Sequence, residues 1–254
     1  PQTPRPEGRS PEGLHMNTPC LRAGAAEVDI TPPIGTAMVG ALVPRPSQGQ
    51  DDPLFAKALV VQSGATRMAI VALDLATLPR RWGDACVQAA AARTGIPPDH
   101  IVWCATHTHT GPIAEPEVYL DGIDPADLNW LEKLPGQFAE AVARADADRQ
   151  PVTLSRSRAF CLDVASSRRI RFKNGLDLNT WNLHAADTDT QSLGFASHPD
   201  PEINALCFDS PAGKPLALLW SFACHTNANF GPNFSADYPA IVTDRLRRQF
   251  GSDL

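Results

Sequence analysis

The stretch Ile101-Val102-Trp103-Cys104-Ala105-Thr106-His107-Thr108-His109-Thr110-Gly111-Pro112 decides how this chain is read. Its first five residues are apolar and partly β-branched, which predicts a short central strand. That strand runs directly into two histidines separated by one threonine and closed by Gly111-Pro112. Side chains two apart on an extended chain face the same side, so His107 and His109 are expected to converge on one point. A second apolar run, Leu216 to Ala223 (LALLWSFA), leads in the same way into Cys224-His225-Thr226-Asn227. Catalytic zinc typically takes three protein ligands and leaves one position for water, and that water is a usable nucleophile at neutral pH. An H-x-H pair alone is weak, because most such pairs are ordinary packing. The strand-end placement, the small flanking residues and the second strand-end histidine move the reading toward a metal site.

Working outward, Ala23 to Ile30 reads as a strand stopped by Thr31-Pro32-Pro33, where prolines remove ladder donors. Phe55 to Gln62 and Met68 to Leu73 flank Ser63-Gly64-Ala65-Thr66, a hairpin signal with Gly64 free to take positive φ. The second run ends at Asp74, an acid at the end of a strand that reads as buried. Arg80 to Arg93 is Ala-rich and helical, with Gly95 and Pro97-Pro98 as stop signals. Pro125 to Asp148 contains an amphipathic helix with Phe138, Ala141, Val142 and Ala145 on one face, and Pro135-Gly136 is expected to interrupt it. Val152 to Leu162 alternates like a half-buried strand, and Ala165 to His198 reads as loops with short strands. Asn204 to Phe208 and Leu216 to Ala223 form a strand pair around Pro211-Ala212-Gly213, and Tyr238 to Phe250 reads as a helix. No internal repeat occurs. The alternation of hairpins and helices predicts a layered α/β fold, a mixed β-sheet covered by helices.

At 254 residues, 43% hydrophobic and 20% charged, the chain supports one large domain or two small ones. A net charge of −6 argues against a general attraction to nucleic acid or anionic membranes. Arg168, Arg169 and Arg171 are a local basic spot that reads most simply as a solvated strand or loop. Six cysteines lie far apart with no C-x-x-C pair, which argues against a disulfide framework and a cysteine-based zinc site. Cys104, Cys207 and Cys224 sit in apolar runs and are expected to be buried and reduced, which gives a cytoplasmic expectation. A secreted or periplasmic place follows instead if a signal peptide was removed. No run approaches the roughly 18 apolar residues of a membrane span. Residues 1–20 are expected to be a disordered leader or a cloning remnant with a junction at His15-Met16, and residues 21–254 the folded domain. Neither G-x-S-x-G nor H-E-x-x-H occurs, and Gly111-Pro112 excludes an H-x-H-x-D-H site.

The segments Ala23–Gly40 (AGAAEVDITPPIGTAMVG), Asp52–Val61 (DPLFAKALVV) and Ala105–Pro112 (ATHTHTGP) resemble the neutral, non-lysosomal ceramidase family. So do Asp200–Thr226 (DPEINALCFDSPAGKPLALLWSFACHT) and Ser235–Pro239 (SADYP), in the right order along Ala23 to Phe250. The likeness is to the short bacterial ceramidase-like branch. It implies a zinc-dependent hydrolase of N-acyl amide bonds acting on a small-molecule or lipid substrate. It further implies His107 and His225 as zinc ligands, His109 as a catalytic group facing the substrate or the metal water, and Arg168 as an arginine reaching the site. Ser167 stands where that family usually has Asn. Asp74 is a candidate for orienting an imidazole, a role usually worth about 10–100-fold in affinity or activity. Asp237 reads equally as a group orienting an imidazole and as a helix cap, and Tyr238 as a packing residue with a place at the site as the alternative. The family's remaining ligands, a glutamate and a tyrosine, fall beyond Leu254, so a C-terminal segment or second chain is expected to complete the centre, unless Asp74, Asp237 and Tyr238 substitute locally. Two other readings stay open: a zinc hydrolase of another ester, lactone or amide, and a catalytically silent metal- or ligand-binding relative.

Overall fold

A computed structural model of the chain describes residues 20–40, 43–115, 124–180 and 192–251. The leader expected over residues 1–20 lies outside the described residues except for Cys20. So does residues 181–191 of the stretch read as loops and short strands. Strand β1 (Arg22–Asp29) is followed by three two-residue strands, β2 (Ala37–Met38), β3 (Arg45–Pro46) and β4 (Gly49–Gln50). Then come the hairpin β5 (Phe55–Ser63) and β6 (Thr66–Leu73), helix α1 (Arg80–Thr94) and β7 (Ile101–Ala105). A 3₁₀ segment, Pro125–Glu132, precedes α2 (Leu134–Ala147), which is followed by β8 (Gln150–Pro151) and β9 (Thr153–Phe160). The small strands β10 (Arg169–Phe172), β11 (Asp177–Asn179) and β12 (Ser192–Phe195) come next. The chain continues through β13 (Glu202–Asp209), β14 (Pro215–Phe222), β15 (Asn233–Phe234) and α3 (Tyr238–Phe250).

The main sheet has the order β7-β6-β5-β1-β8. β5 runs antiparallel to both β1 and β6, while β7 lies parallel to β6. Parallel neighbours need a crossover connection, and α1 supplies it. The sheet is therefore mixed and helix-covered, as the sequence predicts. Alternation in β5 and β6 sends Ala56, Ala58, Val60, Ala69, Val71 and Leu73 to one face, where α2 covers them with Phe138, Ala141, Val142 and Ala145. α1 joins this core through Cys86 and Ala90, and ends at Gly95 with the left-handed φ of 69° that its stop signal predicts. Gly83 of α1 sits under the Trp103 indole of β7, and a Cβ there would overlap the ring, so only glycine allows this close approach.

A second sheet, ordered β14-β13-β9, leans on the opposite face of β1. The cluster it forms there is small, built on Ala23, Leu59, Phe208 and Ala217. Three sequence expectations change at this level. β9 is exposed along its whole length, not half-buried, because among the described residues it is an edge strand with neither face covered. Pro135-Gly136 does not interrupt α2; Pro135 falls in its first turn, where a missing N–H costs nothing. Cys104 is exposed, because it points to the side of β7 away from the helices, and Cys207 and Cys224 are only half-buried. All six cysteines are free thiols, as expected. No helix among the described residues is long and apolar enough to cross a membrane.

Candidate metal centre

β6 and β7 are parallel neighbours, so their C-terminal ends lie side by side, the position where ligands collect in open α/β sheets. The loop after β6 receives the chain that leaves β7: Thr106 N donates to Leu73 O at 2.9 Å and His107 N to Leu75 O at 2.9 Å. His107 then adopts φ 67°, a left-handed conformation that costs a non-glycine residue energy and is found where the surroundings impose it. The convergence of His107 and His109 is therefore real but its cause differs from the expectation. A left-handed turn brings the two rings together; an extended chain does not.

His109 arrives by a separate route. Its N–H donates to Thr226 O at 3.2 Å, beside His225 on the loop after β14. The Thr226 hydroxyl donates back to Thr106 O at 2.5 Å. Gly40, at φ 100°, packs so close to the His109 carbonyl that a Cβ would overlap it. Thr108, between the two histidines, and Thr110, after the second, are fully buried, and both hydroxyls donate to Ser235 O, at 2.6 and 3.0 Å. The threonines of the motif are thus clamps, not only small spacers.

Three imidazoles meet at this point. His107 Nε2 and His109 Nε2 are 3.4 Å apart, which is about the separation of two nitrogens held at roughly 2.0–2.1 Å around a tetrahedral ion. With His225 they offer three ring nitrogens within 4.8 Å of one another. His107 Nδ1 lies 2.7 Å from Ala76 O; donating there leaves Nε2 with its lone pair toward the cluster. His225 Nε2 is buried with no hydrogen-bond partner, and a buried polar atom without a partner is costly unless something completes it. This donor set fits a metal ion. Burial, then the mutual repulsion of His225, His107 and Arg168, lowers the pKa of His109 to about 4. Burial and Arg168 lower that of His225. Both rings are therefore neutral at pH 7, the form in which imidazole binds metal.

Arg168 is exposed, and its charge acts on His109 and His225 through space, lowering the pKa of both. Asp74 is placed differently. Its fully buried carboxylate accepts from Phe55 N at 3.0 Å and the Thr106 hydroxyl at 3.3 Å, and pairs with Lys57 at 2.8 Å. Burial pushes its pKa up while Lys57 opposes that shift. Its hydrogen bonds here go to no imidazole; the Ala76 carbonyl takes the orienting place beside His107. Asp237 directs its carboxylate at backbone N–H groups, and the Tyr238 hydroxyl donates to Cys224 O at 3.1 Å. Among the described residues, the group suited to a metal consists of the three histidines.

Sequence reasoning missed Asp52 and Ser235. Asp52 accepts from the Ser235 hydroxyl and from Ala236 N, both at 2.6 Å, and so ties the loop before β5 to the segment before α3. No spacing rule joins residues 183 apart; the only signal was that both stand in segments of the family likeness. An apolar cleft of about 570 Å³ runs below the cluster between the main sheet, β14 and α3. Leu59, Cys104, Leu218, Trp220 and Phe222 line it, and Thr106, Cys224 and Thr226 mark its end beside the histidines.

Neither protein-family models nor curated protein sequences give a match to this chain. Solved structures do. The neutral ceramidase of Pseudomonas aeruginosa superposes with a TM-score of 0.60 at 20% identity, over 86% of this chain and 34% of that one. A ceramidase complexed with C2 superposes with a TM-score of 0.56 at 18% identity, again over 86% and 34%. The fold is thus that of a portion of a ceramidase, and the chain spans about a third of the length of these structures.

Proposed function

We propose that this chain carries the metal-binding part of a zinc-dependent hydrolase of N-acyl amide bonds. The observation that carries the reading is the cluster of three imidazoles whose ring nitrogens lie within 4.8 Å of one another, one with a buried unpartnered nitrogen. His107 and His225 hold the ion. Zinc, when bound, supplies a Lewis acid that polarises a carbonyl and makes water acidic enough to attack at neutral pH. In amide hydrolysis water oxygen bonds to the carbonyl carbon, the C–N bond breaks and the leaving amine takes a proton. His109, neutral at pH 7 and facing the same point, takes the proton from the attacking water and returns it to the amine nitrogen. The Arg168 charge favours the developing oxyanion. Asp74 acts one residue away, fixing Thr106 and so the start of the histidine turn.

The likeness to about a third of each ceramidase supports a further element of the reading: a C-terminal segment or second chain completes the ligand set. It would also cover apolar side chains that stand in water here, among them Phe160, Ile241 and Phe250.

The test is zinc stoichiometry together with hydrolysis of an N-acyl amide by the intact protein. His107→Ala is expected to lose metal and activity together. His109→Ala is expected to keep most of the metal while activity falls about 10²–10⁴-fold. If His109→Ala loses metal as fully as His107→Ala, His109 is a ligand and the division of roles fails. A wild type that binds zinc and hydrolyses no acyl amide, ester or lactone is a binding protein.

A further inference from the structure

We infer that Asp237 is a positioning residue that sets His225 in register with His107 and His109; the inference rests on the metal-site reading. Asp237 is 3% exposed and holds φ 61°, ψ −153°, a conformation ordinarily left to glycine. An N-cap aspartate normally sits in the β region and bonds one N–H of the first turn. Asp237 does more than that. Its Oδ1 accepts from Tyr238 N at 2.7 Å, while Oδ2 accepts from Ala228 N at 2.9 Å and Asn229 N at 2.7 Å. Those two amides lie three and four residues past His225 on a different loop. On the other side of His225, the Tyr238 hydroxyl holds Cys224 O. The histidine is thus pinned before and after by two consecutive residues.

The same segment grips the other histidine loop. Ser235 O receives Thr108 and Thr110, and the Ser235 hydroxyl accepts from Asp237 N at 3.0 Å. Capping alone would not need φ 61°; bonding two loops at once does. The strained residue is placed where its carboxylate bridges from the α3 start to the His225 loop, and that bridge fixes the distance between the two histidine loops.

The experiment compares wild type, Asp237→Gly and Asp237→Asn in the intact protein, with Co²⁺ as the probe. Glycine accepts φ 61° without strain, so Asp237→Gly is expected to keep the circular dichroism spectrum. It should lose exchange protection at the Ala228 and Asn229 amides and bind Co²⁺ about 10–100-fold more weakly, with an altered visible spectrum. Asp237→Asn, with one acceptor oxygen left, should fall between them. A folded Asp237→Gly with wild-type Co²⁺ affinity and spectrum overturns the inference and makes Asp237 a cap. Loss of fold in both variants overturns it too, since the residue then serves stability at large. Wild type failing to bind Co²⁺ overturns the metal reading instead. The positioning role is then decided by the His225 ring resonances of the metal-free protein, which must shift in Asp237→Gly; unchanged resonances overturn it.

Discussion

His107 and Asp237 are the two non-glycine residues with positive φ among those described, and both stand at the histidine cluster. Such strain costs of order 1–3 kcal/mol and persists only where neighbours over-determine it. Here the neighbours are the Leu75 and Ala76 carbonyls for one residue and three backbone amides for the other. His109 gives a prediction in pH. Its pKa in the folded protein is about 4, against about 6.5 for an unperturbed histidine. Below about pH 6.5 the unfolded chain takes a proton that the folded chain refuses until about pH 4, so stability falls through that window as pH drops. His109→Gln removes the effect. In the metal-free protein the variant should gain in melting temperature relative to wild type between pH 7 and pH 4, and a constant difference across that range contradicts the assignment.

At the scale of elements, the site depends on how tightly the loops close on each other. Gly40 is the sharpest case, since it combines φ 100° with contact against the His109 carbonyl. Gly40→Ala should destabilise the fold by about 1–3 kcal/mol, from backbone strain plus a displaced loop. It should also weaken metal binding, because the displaced atoms belong to His109. The contrasting control is Phe138→Ala on the buried face of α2, where the side chain is fully covered. That change should cost about 3–5 kcal/mol of stability. It should leave metal affinity in the folded population near wild type, because Phe138 packs in the core cluster and not at the histidines. Denaturant melts with parallel metal titration separate the two; equal loss of affinity in both would mean that the site simply follows global stability.

Among the described residues, α1 and α2 cover one face of the main sheet, while the other face carries a small cluster beside an open apolar cleft. If a further segment or second chain packs there, Cys104 reports it. Cys104 is exposed in this chain and should react with a thiol reagent, more slowly than a fully solvated cysteine because partial burial raises its thiol pKa, whereas a longer or assembled protein should protect it. Cys86, buried and with its thiol pushed up to about 12, should stay unreactive in both. Labelling followed by peptide mass analysis reads both sites, and equal Cys104 reactivity in the two forms counts against a covering segment. The sequence by itself determined what is local or periodic. It determined β7 and α3, the hairpin around Gly64, the apolar face of α2, and the strand-end histidines, because hydrophobic period and glycine or proline stop signals act over a few residues. Tertiary structure alone decided which faces stay open, hence the exposed β9 and Cys104, since an apolar run says only that a partner is wanted. It also decided that His107 turns through positive φ, that a carbonyl and not Asp74 orients its ring, and that Asp52, Ser235 and Asp237 lock the loops together. Those contacts join residues far apart in the chain, and their cost and gain exist only once the backbone is folded.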